Sequence, residues 1–236
     1  MASVKPTVLP ASISGDPAEY LRPTHFVDSD HPAVVAYATE ATEGCTTPID
    51  RAQRLFLTVR DGLRYDPYTF SLDPEAYRAS TVVHSSSAFC VPKAILLTAV
   101  ARAVGIPALV GFADVRNHLT SERLRALMGT DVFVFHGYSV MYLDECWVKA
   151  TPAFDTALCD HFGVQPLIFD GHTDAMFHEL TPDGARHMEY IRDRGHYADL
   201  PFDSMLAAFD DVYGSGNVIA DTDHDDAFHS AAKDDS

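Results

Sequence analysis

Apolar residues lie on almost every side of a helix predicted to follow Cys90. They are Ile95, Leu96, Leu97, Ala99, Val100, Ala101, Ala103 and Val104. A helix that is apolar all round is buried inside a larger domain. Val91-Pro92 opens it, since proline is tolerated in the first turn, and Gly105 ends it as a C-terminal cap. The pattern therefore predicts one central helix with Cys90 at its start.

Three stretches after this helix have the pattern of strands. Ala108–Val115 is a continuous apolar run, which is typical of a buried strand. Val132–Leu143 alternates and is rich in β-branched and aromatic residues, and after a turn at Asp144-Glu145 the chain returns over Cys146–Ala150. On this alternation, His136 shares one strand face with Val132, Val134, Tyr138 and Val140. The order predicts a hairpin beside a third strand.

Capping residues and apolar periodicity predict four further helices. They cover Ala33–Glu43, Pro48–Gly62, Thr120–Met128 and Asp203–Tyr213. Thr47 and Asp50 have the spacing of a variant capping box at the start of the second. The remaining stretches are expected to be extended or irregular, namely Arg64–Tyr68, Tyr77–His84 and most of Asp155–Asp199.

Composition narrows the classes of protein that this chain can belong to. Its 236 residues are 47% hydrophobic, enough for a full core, and its formal net charge is −17. That charge argues against nucleic acid and against an anionic membrane surface as partners. The four cysteines form no CxxC pair, and Met1–Ile13 does not have the pattern of a signal peptide. We therefore expect a cytoplasmic protein.

Cys90 and His136 form the strongest candidate for chemistry. A cysteine at the positive end of a helix is favoured as thiolate, and a thiolate is a strong nucleophile. Position alone fits a buried structural cysteine equally well. His136 in the middle of a strand is either the base for this thiol or a core histidine. The order of a helix-start cysteine, a strand histidine and a polar residue on the next strand is that of papain-type enzymes, and it favours catalysis.

The residues around these two positions resemble the transglutaminase-like superfamily. The similarity lies in the stretch from Phe89 to Ala94, in Arg102-Ala-Val-Gly-Ile-Pro-Ala, and in His136 followed by Trp147 and a Thr-Pro turn. The resemblance implies an α+β, papain-like fold in which the cysteine-bearing helix packs on an antiparallel sheet. It also implies Cys–His–Asp catalysis of acyl transfer through an acyl-thioester, and bacterial relatives of this kind are often suspected cysteine proteases or amidases.

The resemblance suggests a division of the chain into four parts. They are an N-terminal loop and helix segment (1–47), a transglutaminase-like core (48–156), an extension packed on the core (157–213) and an acidic disordered tail (214–236).

The third catalytic residue departs from the family pattern. Relatives usually carry the aspartate in an Asp-Pro pair, where this chain has Thr151-Pro152. A threonine hydroxyl can orient an imidazole but lends it no charge. Asp155 follows four residues later, and we predict it as the third residue, although it also fits a simple turn position. The backbone N–H of Cys90 would stabilise the oxyanion, and His84 is a weaker candidate for a second donor.

We thus predict a cysteine hydrolase or acyltransferase that uses Cys90, His136 and Asp155 on a peptide, protein or small amide substrate. The departure at Thr151 leaves a second hypothesis, a catalytically impaired domain that binds peptides or proteins.

His172, Asp174, His178 and Glu179 cluster in sequence, but they lack the HExxH spacing, so no metal is expected. Neither GxGxxG nor GxxxxGK[ST] occurs, so no organic cofactor is expected. The sequence leaves the oligomeric state and the acyl acceptor open.

Overall fold

The computed structural model describes residue 13 and residues 15–214. The helices are α1 (Pro32–Ala41), α2 (Pro48–Gly62), α3 (Ala79–Val82), α4 (Cys90–Ala103), α5 (Glu122–Met128), α6 (Thr156–Phe162) and α7 (Phe202–Tyr213). The strands are β1 (Arg64–Tyr65), β2 (Ser87–Ala88), β3 (Ala108–Asn117), β4 (Val132–Leu143), β5 (Cys146–Ala150) and β6 (Met188–Tyr197). Residues 1–12 and 14 of the N-terminal segment, and residues 215–236 of the predicted acidic tail, lie outside the described residues.

A four-stranded antiparallel sheet carries the fold, in the order β5-β4-β3-β6. Helix α4 packs across it, and its Thr98 hydroxyl lies 2.9 Å from the Ser139 hydroxyl of β4. The predicted α+β class, with the cysteine-bearing helix on an antiparallel sheet, is confirmed.

Helix α4 forms the centre of the core, as its apolar pattern predicts. Every residue from Cys90 to Arg102 is buried. Helices α1, α2 and α3 pack on the side away from the sheet, and α2 begins with the predicted capping box of Thr47 and Asp50. Because neighbours enclose α4 on all sides, the position of Cys90 is fixed by the whole core.

The structure has regular elements that were not predicted within the stretches expected to be extended or irregular. Asp155–Asp199 contains helix α6 and strand β6, and β6 pairs along β3 as an edge strand of the main sheet. The extension after the predicted core therefore supplies part of the sheet. Within Tyr77–His84, residues Ala79–Val82 form a short helix.

Between residues 15 and 214, none of the helices combines the length and the apolar content needed to cross a bilayer.

Candidate active site

Cys90 is the first residue of α4, and a small parallel ladder holds the loop before it. Strand β2 ends at Ala88 and pairs with β1, so that Tyr65 lies opposite Ala88. Phe89 then takes the N-cap position in an extended conformation, and the chain turns into the helix. Only 6% of Cys90 is exposed. The sequence prediction that Cys90 begins the central helix is thus confirmed.

The surroundings of the Cys90 thiol act on it in two opposite ways. The backbone N–H groups of Gly137, Val91 and Cys90 itself lower its pKa. Burial acts more strongly in the other direction and raises the pKa of Cys90 to about 11. Desolvation thus opposes the stabilisation of a thiolate that the helix start was expected to provide.

His136 on β4 is also buried and neutral. It is 3% exposed, and burial lowers its pKa to about 3. Its ring lies 5.0 Å from that of Phe177, measured between centroids, and its buried Nε2 atom has no hydrogen-bond partner among the described residues. At neutral pH, Cys90 and His136 are thus an uncharged thiol and an uncharged imidazole.

Gly137 brings the histidine strand onto the first turn of the cysteine helix. A Cβ atom at Gly137 would lie 3.0 Å from the Cα atom of Val91 and 3.2 Å from the carbonyl oxygen of Cys90. The Gly137 N–H donates a hydrogen bond to the Cys90 sulfur, so the thiol lies beside the peptide bond between His136 and Gly137. Strand β5 pairs with residues 139–143 of β4. No strand of the described chain pairs with β4 beside His136 and Gly137 on that side, and we call this part of β4 its free edge. Gly137, the residue after His136, thus meets the first turn of α4 and the Cys90 thiol at this edge.

Asp155 and Thr151 contact groups other than the His136 ring. The two carboxylate oxygens of Asp155 accept hydrogen bonds from Leu158 N at 2.9 Å and Tyr65 N at 2.8 Å. Thr151 places its hydroxyl 3.3 Å from the Met176 sulfur and hydrogen-bonds to Tyr190. No hydrogen bond among the described residues joins either side chain to His136. Asp155 instead caps α6 and ties it to β1, next to Cys90.

Four tyrosines surround the thiol, and the sequence pattern gave no sign of them. Their pKa values are raised by burial and further by their closeness to Cys90; they are Tyr65, Tyr77, Tyr190 and Tyr213. Each lies on a different element of the fold, so no spacing along the chain could have revealed the group. The site is consequently enclosed and aromatic.

Lys93, one turn after Cys90, is a second residue that sequence reasoning missed. It is fully buried, and its Nζ donates to the carbonyl oxygens of Arg60 at 2.7 Å and Leu63 at 2.6 Å. Burial lowers its pKa to about 7. Lys93 thus joins the cysteine helix to the end of α2.

The acidic and histidine side chains between α6 and residue 214 do not form a metal site. Asp174 accepts a hydrogen bond from Lys149 N at 2.8 Å. No group of three or more His, Cys, Asp or Glu residues within the described part of the chain is placed to hold a metal ion.

Comparison with known proteins places these features in a family. The model of the transglutaminase-like superfamily matches residues 35–152, which include Cys90 and His136. No curated protein matches this chain. A crystal structure described as a "Putative Cysteine Protease" from Cytophaga hutchinsonii aligns with 17% identity and a TM-score of 0.46. The alignment covers 59% of this chain and 43% of that one, so this chain spans less than half the length of that protein.

Proposed function

Because this chain belongs to the transglutaminase-like superfamily, we propose that it catalyses cysteine-dependent acyl transfer on a carboxamide or peptide bond. Cys90 is the nucleophile and His136 is the base. The observation that carries the proposal is the contact of the His136-Gly137 segment with the first turn of α4, beside the Cys90 thiol.

The neutral state of both groups defines the order of proton transfers. As Sγ of Cys90 bonds to the carbonyl carbon, the thiol proton passes to the His136 imidazole. The protonated ring then gives this proton to the leaving amine while the carbon–nitrogen bond breaks, which leaves an acyl-thioester. Water or an amine attacks the thioester, loses its proton to His136, and the thiolate leaves and takes that proton back. The Cys90 N–H stabilises the oxyanion in both halves.

The roles of the other predicted residues follow from their contacts. Asp155 holds β1 and α6 beside the nucleophile through its hydrogen bonds to Tyr65 N and Leu158 N, and we propose that it supports the site in this way. Whether water or an amine accepts the acyl group decides between a protease or amidase and a crosslinking enzyme.

Replacement of the nucleophile tests the proposal. The chain would be incubated with a panel of protein and peptide substrates, with and without a fluorescent primary amine, and released or amine-labelled products would be measured. We expect Cys90→Ala and His136→Gln each to lower turnover by at least about 10³-fold, as removal of a catalytic dyad member does.

Cys159→Ala is the matched control, since Cys159 is another free, buried cysteine, and it should retain turnover. Unchanged turnover in Cys90→Ala would contradict the proposal. Free acid as the product identifies a hydrolase, and incorporation of the amine identifies a transglutaminase.

A further inference from the structure

The backbone immediately before His136 has an unusual conformation. Phe135 has a φ of 55°, in the left-handed region that bulky side chains rarely adopt. Ala113 pairs with His136 and Val115 pairs with Phe133, so two residues of β4, Val134 and Phe135, lie opposite Asp114 alone. This is a β-bulge, a feature that redirects the side chains next to it.

The bulge also changes which residues share a face of β4. Regular alternation would place Val132 and Val134 on the face of His136. Because of the extra residue, Phe133 is in register with Val115 and His136 with Ala113, two positions apart on β3. The predicted face is therefore wrong before His136, and the direction of the imidazole depends on the bulge.

A buried ion pair holds the bulge in place. Asp114 is 6% exposed, and its Oδ1 accepts hydrogen bonds from Phe135 N at 3.1 Å and from Nε of Arg194. The Arg194 guanidinium also lies 4.5 Å above the centre of the Phe135 ring, a cation–π distance. We name Asp114 and Arg194 the clamp.

A second bulge places Arg194 at the clamp. Phe112 pairs with Gly195 and Ala113 with Asp193, so Arg194 is an extra residue on β6 without a partner in the ladder. The bulge in β4 and the bulge in β6, on either side of β3, thus both involve Phe135. Its backbone N–H and its aromatic ring are both held by the same ion pair.

We propose that the clamp is the positioning device for His136. It keeps Phe135 left-handed, and this conformation directs the imidazole to the Cys90 thiol at the free edge of β4. The proposal rests on the proposed function, in which His136 is the base. A left-handed phenylalanine costs free energy and persists only where surrounding contacts impose it, so loss of the clamp should let this segment relax and turn the ring away.

The first test separates positioning from general stabilisation. We expect Asp114→Ala to lower kcat by about 10²-fold with little change in KM, as small displacements of catalytic groups do. The matched control is Asp28→Ala, because Asp28 is also buried and bonds to an arginine, Arg78, and to a backbone N–H, that of Ser80. An equal loss of kcat in both variants, at equal loss of stability, would overturn the proposal.

A rescue experiment tests the role of the left-handed backbone. Glycine adopts this conformation without strain, so adding Phe135→Gly to Asp114→Ala should recover most of the lost kcat. Phe135→Leu also removes the ring but keeps the strain of a side chain, and it should give no recovery. Equal recovery by glycine and leucine would contradict the role of backbone strain.

A third measurement needs no turnover and so separates this proposal from the proposed function. The ring signals of His136 would be followed by NMR in histidine-labelled protein, assigned with His136→Gln. Asp114→Ala should shift them, Phe135→Gly should return them towards their original positions, and Asp28→Ala should leave them unchanged. Unshifted signals in Asp114→Ala overturn the clamp even if the enzyme is active. Absence of wild-type turnover, together with the expected shifts, overturns only the catalytic proposal.

Discussion

Individual residues at the site are kept uncharged by burial. The pKa of His136 is lowered to about 3, and that of His187 to about 4 with a further contribution from the neighbouring His178 and His118. Both imidazoles lie against Phe177, at 5.0 Å and 5.9 Å between ring centroids. An unfolded chain would bind protons at these histidines near pH 6.5, well above the folded pKa values.

This difference predicts acid sensitivity with a defined sign. Between about pH 6.5 and 4 the unfolded state binds more protons than the folded state, so the free energy of unfolding should rise with pH across this window. Each histidine contributes a slope of up to about 1.4 kcal/mol per pH unit. Urea unfolding of wild type, His136→Gln and His187→Gln at several pH values would measure it. A slope in either variant equal to that of wild type would contradict the prediction for that histidine.

The same burial explains how far single residues could be predicted from the sequence. Cys90 and His136 were identifiable because a helix start and an alternating strand mark them locally. The partners of Asp155 were not, because its carboxylate bonds to Tyr65 N, 90 positions earlier in the chain. The burial that raises the pKa of the Cys90 thiol was not predictable either, because a sequence reveals a helix end but not the desolvation around it.

Among the elements, strands with a strong local pattern were predicted and those without one were missed. The bounds of β4 and β5 agree with the prediction, since β4 is rich in β-branched and aromatic residues and β5 returns from the turn at Asp144-Glu145. Strand β6 has the sequence MEYIRDRGHY, in which residues 192–194 are all charged. It lies at the edge of the sheet, and its pairing with β3 has register shifts. Its strand conformation is imposed by pairing with β3 and not by its own composition.

Helix α7 covers the site from outside. Phe209 lies 5.4 Å from Phe70, and Phe70 lies 6.4 Å from Phe89, the residue before Cys90. At its end, the Tyr213 hydroxyl accepts a hydrogen bond from Val134 N at 2.8 Å, on β4 two residues before His136. We therefore expect this helix to restrict access to the thiol.

Tyr213→Phe should loosen this cover. It removes both hydrogen bonds of the hydroxyl, the one from Val134 N and the one to Val132 O. At about 1 kcal/mol each, their loss should raise the open population and the rate of Cys90 alkylation about 30-fold. The measurement is mass-spectrometric mapping of iodoacetamide labelling over time. Tyr37→Phe is the control, because the Tyr37 hydroxyl bonds to Thr58 O in the α1–α2 region, and it should leave the rate unchanged. An unchanged rate in Tyr213→Phe would show that α7 does not limit access.

Over the whole molecule, Arg102 connects segments that are far apart in the chain. Its guanidinium donates to the carbonyl oxygens of Ala108 at 2.9 Å, Arg22 at 2.8 Å and Ala198 at 2.7 Å. Asp199, beside Ala198, accepts hydrogen bonds from the backbone N–H groups of residues 25–27. The arginine of the family-like stretch thus joins the end of α4 to both ends of the described chain.

Arg102→Met should lower the free energy of unfolding by about 3–5 kcal/mol, because three carbonyl groups lose their donor. Arg102→Lys should restore part of this loss, since one ammonium cannot reach all three oxygens. Arg125→Met, at an exposed position of α5, serves as the control and should change stability by less than about 0.5 kcal/mol. Urea unfolding monitored by circular dichroism gives the comparison. Equal stability of the Arg102→Met and Arg125→Met variants would contradict this role.

The close contact at Gly137 has a consequence for how a substrate enters. With hypothetical Cβ contacts of 3.0–3.2 Å on the first turn of α4, the strand and the helix leave no gap into which an acyl group could be wedged. We therefore expect the Gly137 backbone and the first turn of α4 to stay together, so that any opening that admits a substrate takes place at helix α7 instead.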